Sequence, residues 1–207
     1  MMARCAPEHW QDRLVQAVSP LELGVKGLGI TGFRAGGEAV LRPGRTAAVL
    51  VPFLDGREPC IVLTRRADHL PNHPGQVSFP GGAAEEGDNS AVDTALREAW
   101  EEIGLPPASA RPIGFLDRMD TISDYRVLPV VALVTPPVHW VLDETEVAEV
   151  FTVPLHVVLD KACYEGCTVK RGGEDHMLYT LHWQGQNIWG ATAAILMNLI
   201  ARIENTP

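Results

Sequence analysis

The apolar positions of the chain change period several times, and each change predicts an element. Trp10, Leu14, Val15 and Val18 fall at helical spacing within residues 8–19, which predicts a short N-terminal helix. A glycine-rich stretch follows, carrying Gly24, Gly27, Gly29, Gly36 and Gly37. Residues 46–54 and 60–65 are apolar, β-rich runs on either side of Asp55-Gly56, the pattern of a hairpin. Residues 67–89 are broken by Pro71, Pro74 and Pro80 and by Gly75, Gly81, Gly82 and Gly87, and predict a long loop.

Residues 90–103 hold the most regular helical pattern. Val92, Leu96, Ala99 and Ile103 form one apolar stripe, Ser90 and Asp93 supply a capping box, and Gly104 supplies the stop ahead of Pro106 and Pro107. Beyond it, residues 113–116 and 127–134 predict strands, and residues 143–149 a helical turn or short helix leading to 151–154. Residues 167–169 and 177–183 predict a hairpin across Gly172-Gly173. A second long helix is predicted over 188–203, with Ile188, Ala191, Ile195, Leu199 and Arg202 along one side. Strands and helices interleave irregularly and without an internal repeat, which predicts an α/β or α+β sandwich in one domain.

Composition narrows the class. The chain has 207 residues and 46% hydrophobic content, enough for one well-formed core. No apolar run approaches the ~18 residues of a membrane span, and Arg4, Glu8, His9, Asp12 and Arg13 interrupt the start of the chain where a signal peptide would be apolar. A cytoplasmic location is expected. With that location, Cys5, Cys60, Cys163 and Cys167 are expected to be free, buried thiols. Cys163-x3-Cys167 with His176 and His182 has too short a middle gap for a zinc finger and lies in strand-like sequence, so no zinc is expected there. The net charge of -9 argues against nucleic-acid or anionic-membrane partners. It would also repel a phosphate substrate, unless bound cations intervene.

The carboxylates that could hold such cations lie on the 90–103 helix. At about 100° per residue, Glu98, Glu101 and Glu102 share one side, away from the apolar stripe, with Arg97 as the nearest offsetting charge. A lone trio of this kind is a solvated acidic face. Here Phe79-Pro80-Gly81-Gly82 sits just upstream, and its glycines let backbone carbonyls approach a ligand closely. Hard oxygen donors of this type suit Mg²⁺ or Mn²⁺. A diphosphate bridged by such ions is neutralised and polarised for attack by water.

Residues 97–105, Arg-Glu-Ala-Trp-Glu-Glu-Ile-Gly-Leu, resemble the second half of the Nudix box, G-x5-E-x7-R-E-U-x-E-E-x-G-U with U aliphatic, at every fixed position. Gly82, five residues and Asp88 match the first half with Asp for Glu, and eight residues rather than seven then lead to Arg97. Glu85 and Glu86 compete with Asp88 for that place. Upstream, Val62-Leu63-Thr64-Arg65-Arg66-Ala67, Gly75 and Phe79-Pro80-Gly81-Gly82 resemble the signature of the coenzyme A pyrophosphatase branch, with Pro71 where that pattern has Arg. Residues 146–155 and 188–193 look like segments of the same branch.

The resemblance implies a Nudix-type α/β/α sandwich with a central mixed sheet. It implies one domain over residues 1–207, with 1–44 as an N-terminal helix and loop extension and 79–105 as the box loop and helix. It implies Mg²⁺- or Mn²⁺-dependent hydrolysis of CoA or acyl-CoA to 3′,5′-ADP and 4′-phosphopantetheine. The rival readings are a Nudix enzyme acting on ADP-ribose, NADH or dinucleotide polyphosphates, and a non-catalytic nucleotide-binding module. By the same match Glu98 and Glu102 are metal ligands, Glu101 is a third ligand or the base, and a carbonyl of Gly81 or Gly82 completes the sphere. Arg97 orients the loop through a carboxylate such as Asp88. Glu146 and Glu149 are candidate distant bases. Arg65 and Arg66 adjoin on a strand and point to opposite faces, so one can reach substrate phosphates. His69 and His73 lie in the loop beside the box.

Overall fold

The computed structural model describes residues 9–23, 30–31, 45–121, 125–171 and 173–206. The predicted glycine-rich stretch with Gly24, Gly27, Gly29, Gly36 and Gly37, together with Cys5 and Gly172, lies outside them. In chain order the elements are α1 (Trp10–Ala17), β1 (Ile30–Thr31), β2 (Arg45–Leu54), β3 (Cys60–Arg66), β4 (Val77–Ser78), β5 (Gly81–Ala83) and α2 (Ala91–Ile103). There follow β6 (Ala110–Phe115), β7 (Arg118–Asp120), β8 (Tyr125–Val134), β9 (Val147–Pro154), α3 (Leu155–Val158), β10 (Tyr164–Arg171), β11 (Glu174–Trp183), β12 (Gln186–Trp189) and α4 (Gly190–Glu204).

A mixed sheet runs β1-β7-β8-β2-β3-β4, with β6 on β8, β9 on β3 and β5 on β2. β2 and β8 pair in parallel over their whole length, from Arg45 beside Tyr125 to Leu54 beside Val134. The other edge of β2 is shared. Its far end pairs with β3 through Phe53 and Leu54, and its near end takes β5, with Ala47, Ala48 and Val49 opposite Ala83, Gly82 and Gly81. β10, β11 and β12 form a second, antiparallel sheet.

Both faces of the mixed sheet are covered, which is why β2 and β8 read as nearly continuous apolar runs. On one face Val51, Phe53, Ile61, Leu63, Val131 and Leu133 pack with Leu14 of α1 and Leu196 and Leu199 of α4. On the other Ala48, Leu50, Val62 and Val130 pack with Ala95, Ala99 and Ile103 of α2. The architecture is therefore an α/β/α sandwich, and no helix among the described residues is long and apolar enough to cross a membrane.

Three expectations change. Residues 143–149 make a single turn, with Glu146 and Val147 N–H both donating to the Asp143 carbonyl at 2.9 and 2.8 Å, and from Val147 the chain is strand β9. The free edge of β3 captures it, because a ladder satisfies more backbone groups than one isolated helical turn. Ile188 lies in β12 opposite Leu181, and α4 begins at Gly190. Finally, the Ser90 cap on α2 forms as expected, and only the reciprocal bond of the capping box moves by one residue. Asp93 N–H donates to Ser90 Oγ at 3.2 Å, while the Asp93 carboxylate accepts from Asn89 N–H at 3.1 Å.

Candidate active site

The site is built where β5 meets α2. Gly81 hydrogen-bonds along β2 so closely that a Cβ there would strike the Ala48 carbonyl and Val49. A Cβ on Gly82 would run into the carboxylate of Glu98. Gly81 therefore requires glycine, and at Gly82 a larger residue would have to displace the Glu98 carboxylate. Glu98 and Glu102, one turn apart on α2, face this backbone. Glu102 is only 5% exposed, and its Oε2 accepts from Gly81 N–H at 3.3 Å.

Arg97 organises the rest. Its Nε and Nη2 donate to Asp88 Oδ1 and Oδ2 at 3.1 and 3.0 Å, and Nη2 also reaches the Ala83 carbonyl at 3.0 Å. Nη1 donates to Glu98 Oε1 at 3.0 Å and to Glu101 Oε2 at 2.9 Å. Asp88, 7% exposed, accepts further from Thr94 Oγ1 at 2.9 Å and from Glu85 N–H at 3.0 Å. Of the three acids competing for the box position, Asp88 thus makes the bidentate pair, and Glu85 and Glu86 stay at the surface.

The electrostatics follow burial and neighbours. The Arg97 guanidinium holds the Asp88 carboxyl well below the usual carboxylate range. Burial raises Glu98, against the pull of Arg97. Burial, then the charge of Glu98, pushes Glu102 up to about 8. Glu101 is 55% exposed and turned to Arg97, and among the described residues no three His, Cys, Asp or Glu side chains are arranged to hold an ion. The donor chemistry nevertheless fits a hard divalent cation: two carboxylates withdrawn from water beside a glycine backbone.

Arg66 and Arg65 diverge as expected, and the β3–β9 ladder shifts register between them. Arg66 is among the charges that act on Glu102, and its buried Nε has no hydrogen-bond partner among the described residues. Arg65 Nη1 donates to Asp68 at 2.7 Å, and its Nε lies 3.7 Å from Glu149, which also accepts from Gln186 Nε2 at 2.8 Å. The charge of Glu146 acts on both Glu98 and Glu102, which puts it on the same cleft. His69 Nε2 lies 3.0 Å from the Thr145 carbonyl and so braces the turn below Glu146, while His73 is exposed at positive φ. Against the expectation of buried thiols, Cys60 is only partly buried and Cys163 and Cys167 are exposed on β10 and the turn before it, and His182 is engaged by Asn187 at 2.7 Å and Glu165 at 3.3 Å.

Sequence reasoning passed over Thr94 and Gln186. Thr94 stands one turn before Glu98 on the polar side that carries Arg97 and Glu101, and that spacing was the available signal for the first. Gln186 sits on a short strand with nothing to mark it.

The NUDIX domain profile matches residues 44–166. A protein named uncharacterized Nudix hydrolase NudL of Enterobacter sp. (strain 638) is 40% identical over 163 residues, covering 79% of this chain and 85% of its own length. The protein of the same name in Yersinia enterocolitica is 42% identical over 157 residues, covering 76% and 80%. The crystal structure of a NUDIX hydrolase from Alicyclobacillus acidocaldarius superposes with a TM-score of 0.47 at 22% identity, over 78% of this chain and 93% of that one. The profile spans more than half the chain and the relatives extend over most of it, so the protein belongs to the Nudix hydrolases, diphosphatases that generally use divalent metal ions.

Proposed function

We propose that the protein hydrolyses the diphosphate of coenzyme A or an acyl-CoA, releasing 3′,5′-ADP and the corresponding 4′-phosphopantetheine. The observation that carries this reading is that the charge of Arg66 acts on the buried Glu102 from β3, the strand that also bears the CoA-type signature. Glu98 and Glu102 would hold Mg²⁺ or Mn²⁺, joined by Glu101 or by a backbone carbonyl of Gly81 or Gly82. The bound ion supplies charge neutralisation and polarises the diphosphate. Arg66 brings a guanidinium with an unused buried Nε to a substrate phosphate, and Arg97 and Asp88 keep the glycine backbone against the acids. Water attacks one phosphorus, the bond to the bridging oxygen breaks, and the proton of the water passes to a carboxylate oxygen. Glu101 is drawn to Arg97 and Glu149 to Arg65 and Gln186, whereas Glu146 lies on the cleft without an ion-pair partner among the described residues. Glu146 is the better placed base.

The third phosphate of CoA, at the 3′ position, distinguishes it from ADP-ribose and NADH. We expect a higher kcat/KM for CoA than for either, a preference for CoA over 3′-dephospho-CoA, and a loss of that preference in Arg66→Ala or Arg65→Ala. All turnover should stop in excess EDTA. Faster cleavage of ADP-ribose than of CoA would refute the branch while leaving the metal chemistry in place. Turnover that persists in EDTA would refute the metal chemistry itself.

A further inference from the structure

Beneath the first turn of α2 lies a cavity of about 390 Å³ that none of the roles above uses. Its floor is the near end of the sheet. Ala48 of β2 lies beside Leu128 of β8, and the β7–β8 register puts Asp120 opposite Arg126. Residues opposite one another across a ladder point to the same face. Leu128 and Ala48 pack in the cluster beneath α2, so Arg118 and Arg126 line the cavity from this α2-facing side. Ala91 forms part of the roof. Small side chains on both floor and roof are what leave the space open.

The lining is chemically divided. Ala48, Ala91 and Leu128 make an apolar slot, and Arg118 and Arg126 bring two positive charges to it in a protein of net charge -9. The amino end of α2 adds its own positive field. Arg118 gives Nε and Nη2 to Asp120 at 2.9 and 3.1 Å, and Arg126 is also engaged. A guanidinium carries five N–H donors, so each can share itself with a ligand. Asp88, on the same wall, has both carboxylate oxygens committed to Arg97 and Thr94, so it does not offset the two arginines. The volume falls within the ~300–1,000 Å³ of small-molecule sites, several times the need of a lone phosphate.

We infer that this cavity binds a nucleoside monophosphate group, with the flat ring in the alanine-lined slot and the phosphate at Arg118 and Arg126. The group has two sources, the nucleotide half of the substrate or a separate nucleotide, and the first of these rests on the function proposed above.

The test uses the full chain in EDTA, with binding followed by calorimetry for AMP, 3′,5′-ADP, adenosine and inorganic phosphate. AMP and 3′,5′-ADP should bind, with adenosine and phosphate each weaker by at least about tenfold, because each lacks one half of the recognition. Arg118→Gln, Arg126→Gln and the cavity-filling Ala91→Leu should each weaken AMP by at least about tenfold at unchanged melting temperature. Unchanged AMP affinity in both arginine variants overturns the inference, and so does adenosine or phosphate binding as tightly as AMP, or no nucleotide binding to the wild type. CoA hydrolysis by the same variants separates the sources: a raised KM marks the substrate's own nucleotide, an unchanged KM a separate one. Because the binding arm needs no metal and no turnover, failure of the proposed hydrolysis leaves it readable.

Discussion

At the scale of single residues, two carboxylates with the same side chain are set apart from their neighbour by what surrounds them. Glu98 and Glu102 are withdrawn from water against glycine backbone, and Glu101 remains at the surface in the grip of Arg97. We expect Glu98→Gln and Glu102→Gln each to lower kcat by at least ~10², with circular dichroism unchanged, since each removes a charge that holds a transition-state-stabilising ion. Near-wild-type rates at saturating metal would remove both from the site. Glu102 also predicts a pH dependence. Its carboxyl binds a proton more tightly folded, at about 8, than unfolded, near 4.3. The stabilisation is therefore complete below pH ~4 and is lost as pH rises through about 8. Metal-free protein should melt at progressively lower temperature between about pH 5 and pH 9, and Glu102→Gln should flatten that slope. An identical slope in the variant would mean that another group titrates.

At the scale of elements, the box loop and α2 are held by one ion pair more than by the helix itself. Replacing Asp88 with Ala strips Arg97 of its bidentate partner and frees the turn at Glu85 and the hydroxyl of Thr94. A loss of about 2–3 kcal/mol in denaturant unfolding is expected, along with weaker activity, because hydrogen bonds to buried charges are worth roughly that. A loss below about 0.5 kcal/mol would show the loop held by β5 alone. This element was largely legible beforehand: the 3.6-residue period, the Ser90 cap and the Gly104 stop all lie within fourteen or so residues of local sequence. The β10–β11 hairpin could also be read, from residues 167–169 and 177–183, but the β3–β9 pairing could not. Residues 143–149 carry enough polar spacing to suggest a helix, and only the open edge of β3, contributed by sequence some eighty positions away, makes them a turn and a strand. Of the site, the acids and glycines could be read from the motif. The choice of Asp88 over Glu85 and Glu86 could not, because it depends on which carboxylate the folded turn turns inward toward Arg97.

At the scale of the whole molecule, the two ends of the described chain are tied together. Arg202 of α4 donates to the Ala17 carbonyl, to Ser19 Oγ and to Asp117 Oδ1 at 2.7, 2.7 and 2.6 Å, and so docks α1 against the face of the sheet opposite α2. Arg202→Ala should cost about 2–4 kcal/mol of stability while kcat per folded molecule stays unchanged, since three hydrogen bonds donated by a charged group are lost far from the acids. A fall in kcat at full folding would show that this face communicates with the site. The parallel pairing of β2 with β8 has a further consequence, and it is kinetic. Everything from β3 to β7, the box included, lies in the connection between these two strands. Closing that long crossover is slow relative to forming α2, so the glutamates line up along their helix well before the sheet supplies the Gly81–Gly82 backbone opposite them. A cation recognised by the finished arrangement has little to grip in the folding transition state. An ion held there is therefore expected to act as a brake on unfolding, lengthening the lifetime of the native enzyme without hastening its formation.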